Sequence, residues 1–89
     1  MIVFTVHSRV QMAARQISEA RVLEAVERPH QTIWVGGGRL VNQNRYFDAI
    51  EMKEMMLRVF VEPSENNLIA VSVYRTSRIG KYWMEEPQA

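Results

Sequence analysis

The chain has no cysteine among its 89 residues. That excludes a disulfide scaffold, thiolate zinc sites and a cysteine nucleophile, and it accords with a reducing compartment. Histidine is nearly as scarce: His7 and His30 stand far apart with no HExxH, so no metal centre is expected, and no cofactor either. Asp48 is the single aspartate and no serine sits in a G-x-S-x-G turn, which leaves a hydrolase triad without its parts. Three of the four glycines stand together at 36–38. A phosphate cradle needs such a run between a strand and a helix start, followed by lysine and a hydroxyl, whereas here strand-like residues flank it and Arg39-Leu40 follow, so the run is read as a hairpin turn. No segment approaches the ~18 apolar residues of a spanning helix, and Met1-Ile2-Val3-Phe4-Thr5-Val6-His7 lacks the basic start of a secretion signal. A cytoplasmic protein with no membrane partner is expected.

What the chain does have is an ordinary globular balance, 47% hydrophobic and 24% charged, which argues for one folded core and against disorder. Its length suits a single domain over residues 1–84 with a frayed tail at 85–89. The formal charge is only +1, yet nine of the eleven cations are arginine. Residues 1–45 hold six arginines against three glutamates, and residues 46–89 hold five cations against seven acids. Arginine's planar fork suits phosphate, so a nucleic-acid face is conceivable on composition; most of these arginines are nevertheless expected in solvated surface pairs.

Ile2 to Val6 is β-branched and aromatic and predicts a short strand. Ser8-Arg9-Val10-Gln11 has capping-box spacing and predicts a helix over about 8–15. Ser18 with Glu19 predicts a second helix over about 19–28, stapled by Ile17 against Val22 and ended by Pro29. From Gln31 the period becomes strand-like: Thr32–Val35 and Arg39–Val41 form a hairpin, Asn42–Ile50 a polar and aromatic strand, and Met55–Glu62 a further strand. Pro63–Asn67 is a turn. Leu68–Tyr74 is apolar on both faces, with Ile69, Val71 and Val73 on one and Leu68, Ala70 and Ser72 on the other, and is expected to be central. The fold expected is α+β, two N-terminal helices packed on one face of a mainly antiparallel four- to five-stranded sheet. The polar stretch Asn42–Asp48 is read as a solvent-facing edge, with a groove lining as the alternative.

Two segments concentrate chemistry. His7 to Ser18 sets His7 at a helix start and Arg15 two turns along. Val73 to Trp83 runs from strand into cations, hydroxyls and aromatics, where Tyr74, Arg75, Ser77, Arg78, Lys81 and Tyr82 offer phosphate contacts and stacking surfaces. The plainer readings are a histidine bonded to local backbone at the helix start, and Trp83 as a core plug.

Across these segments the chain resembles a bacterial family, that catalogued as domain of unknown function 4258. The pattern is Thr5-x-His7, Met12, Arg15, Ile17-Ser18, Val22, Val26 and Pro29, then Val71-x-Val73-Tyr74, Ser77 and Lys81-Tyr82, over about residues 4–83. Two positions depart from it: Gln11 stands where the family often has arginine, and Gln16 where it often has glycine. The element order is similar to that of RelE-type toxins and other small ribonucleases. That resemblance implies metal-independent RNA cleavage, with His7 as acid or base, Arg15, Arg75 and Lys81 stabilising charge, and Tyr74 or Tyr82 donating a proton or stacking. RNA, an antitoxin-like protein partner and a homodimer are the partners this reading would bring. The competing expectation is a noncatalytic binding or self-associating module that exposes Met52, Met55, Met56 and the 42–48 strand, although methionines in this number are more often core filler.

Overall fold

The β-branched start forms β1 (Ile2–Phe4), and the chain turns at Thr5 into α1 (Val6–Arg15). In this computed structural model, which describes residues 1–85, the helix begins two residues before the expected position. Thr5 is the N-cap: its Oγ1 accepts from Ser8 N at 3.0 Å, and the buried Ser8 hydroxyl donates back to Thr5 O at 2.9 Å. Ser8 is therefore inside the helix rather than at its cap. α1 ends at Gln16, which adopts the left-handed conformation (φ 54°, ψ 46°). That is a position favouring glycine. Ser18 caps α2 (Glu19–Glu27) by accepting from Arg21 N at 3.2 Å, as its sequence predicts. Ile17 and Val22 are buried in the same apolar cluster.

Four strands follow: β2 (Gln31–Gly36), β3 (Arg39–Asp48), β4 (Lys53–Ser64) and β5 (Asn67–Thr76), and then a one-turn helix, α3 (Ile79–Tyr82). The β2–β3 hairpin turns at Gly37 and Gly38, both at positive φ. The sheet order is β1-β5-β4-β3-β2. The fold is α+β with a mixed sheet: β2 to β5 form an antiparallel meander, and β1 adds one parallel pair through Ile2↔Leu68 and Phe4↔Ala70. β5 is interior, but β4 is the middle strand. The Asn42–Asp48 stretch is an edge only in part: Asn42 and Gln43 lie between β2 and β4, whereas Tyr46 to Asp48 pair β4 alone, with Phe47 exposed.

Register assigns the faces. Leu57, Val59 and Val61 of β4 join Val22, Ala25 and Val26 of α2 and Met12 of α1 in the core on one face. Opposite them in β3 stand Leu40, Asn42 and Asn44, and Tyr46 pairs Met55. The expected alternation of β5 breaks at a bulge: Phe60 pairs Ser72 and Val61 pairs Ala70, leaving Val71 unpaired. Ala70 and Val73 consequently share the core face, whereas Ile69 lies on the other. β1 covers only three residues of the β5 edge, and beyond it Thr5 and α1 meet the edge as far as Val73. Thr5 N donates to Ala70 O at 3.2 Å, Val73 N donates to Gln11 Oε1 at 2.7 Å, and Arg15 Nη1 donates to Val73 O at 3.4 Å.

The buried polar residues of β3 are all partnered. Asn44 Oδ1 accepts from His30 N at 2.7 Å, and its amide donates to Arg28 O at 3.3 Å, fixing the exit of α2. Asn42 Oδ1 accepts from the Thr32 hydroxyl at 3.0 Å. Met55 and Met56 are buried, so of the three methionines expected at a binding surface only Met52 is exposed. The expected frayed tail falls on residues 86–89, outside the described residues, apart from Glu85. No helix among the described residues is long and apolar enough to cross a membrane.

Candidate functional site

On the face away from α2, one level of the sheet carries four polar side chains in a row. Gln31 pairs Gln43, Gln43 pairs Arg58, and Arg58 pairs Tyr74, across β2, β3, β4 and β5. Side-chain hydrogen bonds run the length of this row. Gln43 Nε2 donates to Gln31 Oε1 at 3.1 Å, Arg58 Nε donates to Gln43 Oε1 at 2.6 Å, and Arg58 Nη1 donates to the Tyr74 hydroxyl. Gln43 is fully buried. After Thr76 the chain bends, with Thr76 Oγ1 accepting from Arg78 N at 3.0 Å, and α3 lies over the row. Tyr82 O accepts from Gln43 Nε2 at 3.2 Å, and the Met84 backbone bonds Gln31 through both its N–H and its carbonyl.

The centre of this arrangement is the half-buried Arg58. Its guanidinium carbon lies 4.2 Å from the centroid of the Tyr82 ring, 5.3 Å from Tyr74 and 5.4 Å from Phe60. Tyr74 and Tyr82 meet edge to face at 6.2 Å, and Lys81 Nζ stands 5.2 Å from the Tyr82 centroid. Among the described residues no carboxylate lies within ion-pair distance of Arg58, and two of its five N–H donors are used by Gln43 and Tyr74. The two phenols are pushed apart. Burial raises Tyr74 above the ordinary tyrosine value, against the opposing pull of Arg58. Tyr82 is lowered, first by the Lys81 ammonium beside its hydroxyl, and in the same direction by Tyr74 and Arg58.

The eight residues singled out from the sequence fall into three places. Tyr74, Lys81 and Tyr82 belong to the Arg58 cluster. Arg15, Arg75, Ser77 and Arg78 line an open depression of about 530 Å3 at the C-terminal end of β5, beside α1. There Arg75 is held by Asp48 at 2.9 Å and Glu51 at 3.9 Å, so its charge is already met. Two backbone N–H groups, of Glu51 and Ile50, and then Arg75, keep the Asp48 carboxyl below its ordinary value. His7 lies in neither group: it is an exposed residue in the first turn of α1 and makes no hydrogen bond through its ring to any described residue. The plug expected at Trp83 is a partial one, since Trp83 is half-buried against the far face with Arg45 4.9 Å from its ring.

Arg58 and Gln43 escape sequence reading because nothing local marks them. Arg58 sits in an apolar strand and Gln43 in a polar one, and only the register between β3, β4 and β5 makes them neighbours. The available signal was the uncommon pairing of charge with a strand whose neighbours are all apolar, Met55-Met56-Leu57 before it and Val59-Phe60-Val61 after. Among the described residues no group of three histidines, cysteines or acids could hold a metal ion. Compared with family models, curated proteins and solved structures, the chain has no match.

Proposed function

We propose that this protein is a small metal-independent endoribonuclease whose phosphate-handling centre is the Arg58, Tyr74, Lys81 and Tyr82 cluster. The observation that carries the reading is a half-buried arginine without a carboxylate partner, its guanidinium plane fixed by Gln43 and Tyr74, next to two phenols with opposed proton affinities. Chemistry of this kind needs no metal. The ribose 2′-oxygen attacks the neighbouring phosphorus while a base takes its proton; the bond from phosphorus to the 5′-oxygen then breaks, and an acid protonates the leaving oxygen. The products are a 2′,3′-cyclic phosphate and a 5′-hydroxyl end. Tyr82, lowered by Lys81, takes the part of the base, and Tyr74, held protonated by burial, that of the acid. The free guanidinium donors of Arg58 and the Lys81 ammonium receive the charge that develops on the non-bridging oxygens.

This assignment leaves His7, Arg15 and Arg75 outside the reacting centre and rests on the site's chemistry rather than on any family match. The binding-module alternative keeps part of its surface: Met55, Met56 and Asn42 to Asn44 are buried, whereas Met52, Arg45 and Phe47 are exposed.

The test is cleavage of end-labelled RNA by the purified protein in EDTA, with and without added ribosomes, beside induced expression in a bacterial host with total RNA examined. The wild type is expected to give fragments ending in cyclic phosphate. Tyr82→Phe and Lys81→Ala are expected to lose about 10²-fold or more in rate, with an unchanged circular dichroism spectrum. RNA left intact by folded wild type in every arm overturns the proposal.

A further inference from the structure

Six of the eleven cations have a carboxylate within 4.0 Å: Arg9, Arg28, Arg39, Arg45, Lys53 and Arg75. Among the described residues the other five, Arg15, Arg21, Arg58, Arg78 and Lys81, have none. The pairing is not random in space. Arg21 lies over the Tyr46 ring on the helix side; of the remaining four, Arg58 and Lys81 stand at the Tyr82 ring, and Arg15 and Arg78 line the depression at the C-terminal end of β5. Arg58 contacts Tyr82, and Lys81 is the next residue along; Arg78, three residues earlier, is one helical turn or ~4.5 Å of rise away, and Arg78 shares the depression beside α1 with Arg15. The acids near this path are already engaged: Asp48 and Glu51 hold Arg75, and Glu51 also meets Lys53 at 3.7 Å. A chain with a net charge of +1 thus gathers four cations without a carboxylate partner towards one end of the molecule.

We infer that single-stranded RNA crosses the protein along these four cations, with one phosphate at Arg58 and Lys81 on the far face and further phosphates received between Arg78 and Arg15, where the Ser77 hydroxyl adds a donor. The inference rests on the ribonuclease reading and extends it to how the substrate lies. Bases are accommodated beside the track because Tyr82 presents a partly exposed ring to both Arg58 and Lys81, the combination that binds single strands without reading their sequence. A flat ring set among cations favours a single strand, whose unpaired bases stack on it while its phosphates meet the charges. Arg15 remains available although one donor is spent on Val73 O, since a guanidinium has five.

The experiment is fluorescence anisotropy with a labelled RNA of about twelve nucleotides, fully 2′-O-methylated so that it cannot be cleaved, titrated between about 50 and 200 mM salt. Removing one cation from a phosphate reduces the slope of log affinity against log salt by about 0.7 for a single strand. Arg15→Gln with Arg78→Gln is expected to flatten that slope by about 1.4 relative to wild type. Arg78→Glu alone, an exposed position whose side chain makes no hydrogen bond to a described residue, is expected to weaken binding more than Arg78→Gln, which guards against an Arg15 substitution that disturbs α1. Arg28→Gln, at the end of α2, is the control and should leave the slope unchanged. Wild-type binding with the same slope in the double variant overturns the track while leaving the ribonuclease reading standing. Failure of the wild type to bind RNA at the lowest salt, or binding only to an acidic polypeptide such as polyglutamate, overturns the track and undermines the reading beneath it.

Discussion

Replacing Gln43 with leucine isolates what the polar row contributes. The two side chains are close in volume, so no cavity term enters, and what is lost is hydrogen bonding. Gln43 accepts one bond from a charged donor, Arg58 Nε at 2.6 Å, and donates two neutral ones, to Gln31 Oε1 and Tyr82 O. A bond to a charged group is worth about 1.5–3 kcal/mol and a neutral one about 0.5–1.5 kcal/mol. Arg58 and Gln31 are half-buried and recover part of the loss from water, so the net destabilisation expected is about 2–4 kcal/mol. For a domain of this size that lowers Tm by about 10–25 °C. Urea denaturation followed by circular dichroism measures it. A double-mutant cycle with Arg58→Leu then tests the cause: each single change strands its partner, the double change strands neither, and a coupling of about 1 kcal/mol or more is expected. A loss under about 0.5 kcal/mol, the range of an ordinary surface substitution, or a cycle that is simply additive, would refute the row as a source of stability.

Gln16 holds φ 54° at the end of α1, a conformation that costs a side-chain-bearing residue about 1–2 kcal/mol and glycine almost nothing. After the extra freedom glycine gives the unfolded chain, Gln16→Gly is expected to raise stability by about 0.5 kcal/mol, read as a higher urea midpoint at constant slope; a lower midpoint would contradict the cap. In a spectrophotometric titration of the phenols, Tyr82 is expected to ionise below the ordinary tyrosine range and Tyr74 above it. Tyr82→Phe should remove the early step and Lys81→Ala should move it back towards the ordinary value, whereas an early step untouched by either change would mean that the two phenols are wrongly assigned.

Local signals carried the helices and most of the strands, and they failed where a distant partner decided the outcome. Ser18 was legible as a cap because its hydrogen bond closes within three residues. Ser8 was not, because Thr5 is fixed by β5: its hydroxyl reaches Ala70 O and Val71 O, a partnership 65 residues away that pulls the helix start forward. The stretch Asn42-Gln43-Asn44 looked like an edge because polar residues in a strand usually face water. Here each side chain has a protein partner in place of water: Asn44 holds the end of α2, Asn42 bonds the Thr32 hydroxyl, and Gln43 holds the carbonyl of Tyr82. The bulge at Val71 also left no mark in an unbroken apolar run, so the faces of β5 past that point were inverted.

The same long-range partnership explains why the residues named from the sequence supplied the rim of the far-face cluster and missed its centre. Tyr74, Lys81 and Tyr82 lie within nine residues of one another, and their proximity can be read from the chain. Arg58 reaches them only because β4 and β5 pair in one register, and its orientation depends on Gln43 one strand further over. The bonds that orient the guanidinium also hold α3, since Gln43 bonds both Arg58 Nε and Tyr82 O. Stability and site geometry are therefore coupled through one amide. A substitution that frees α3 from the sheet moves the Tyr82 phenol away from Arg58 at the same time, and an arginine left to sample many rotamers would no longer present prealigned donors to a developing charge. On the ribonuclease proposal, the buried Gln43, which holds both Arg58 and α3, is for that reason assigned as a positioning residue for the whole cluster.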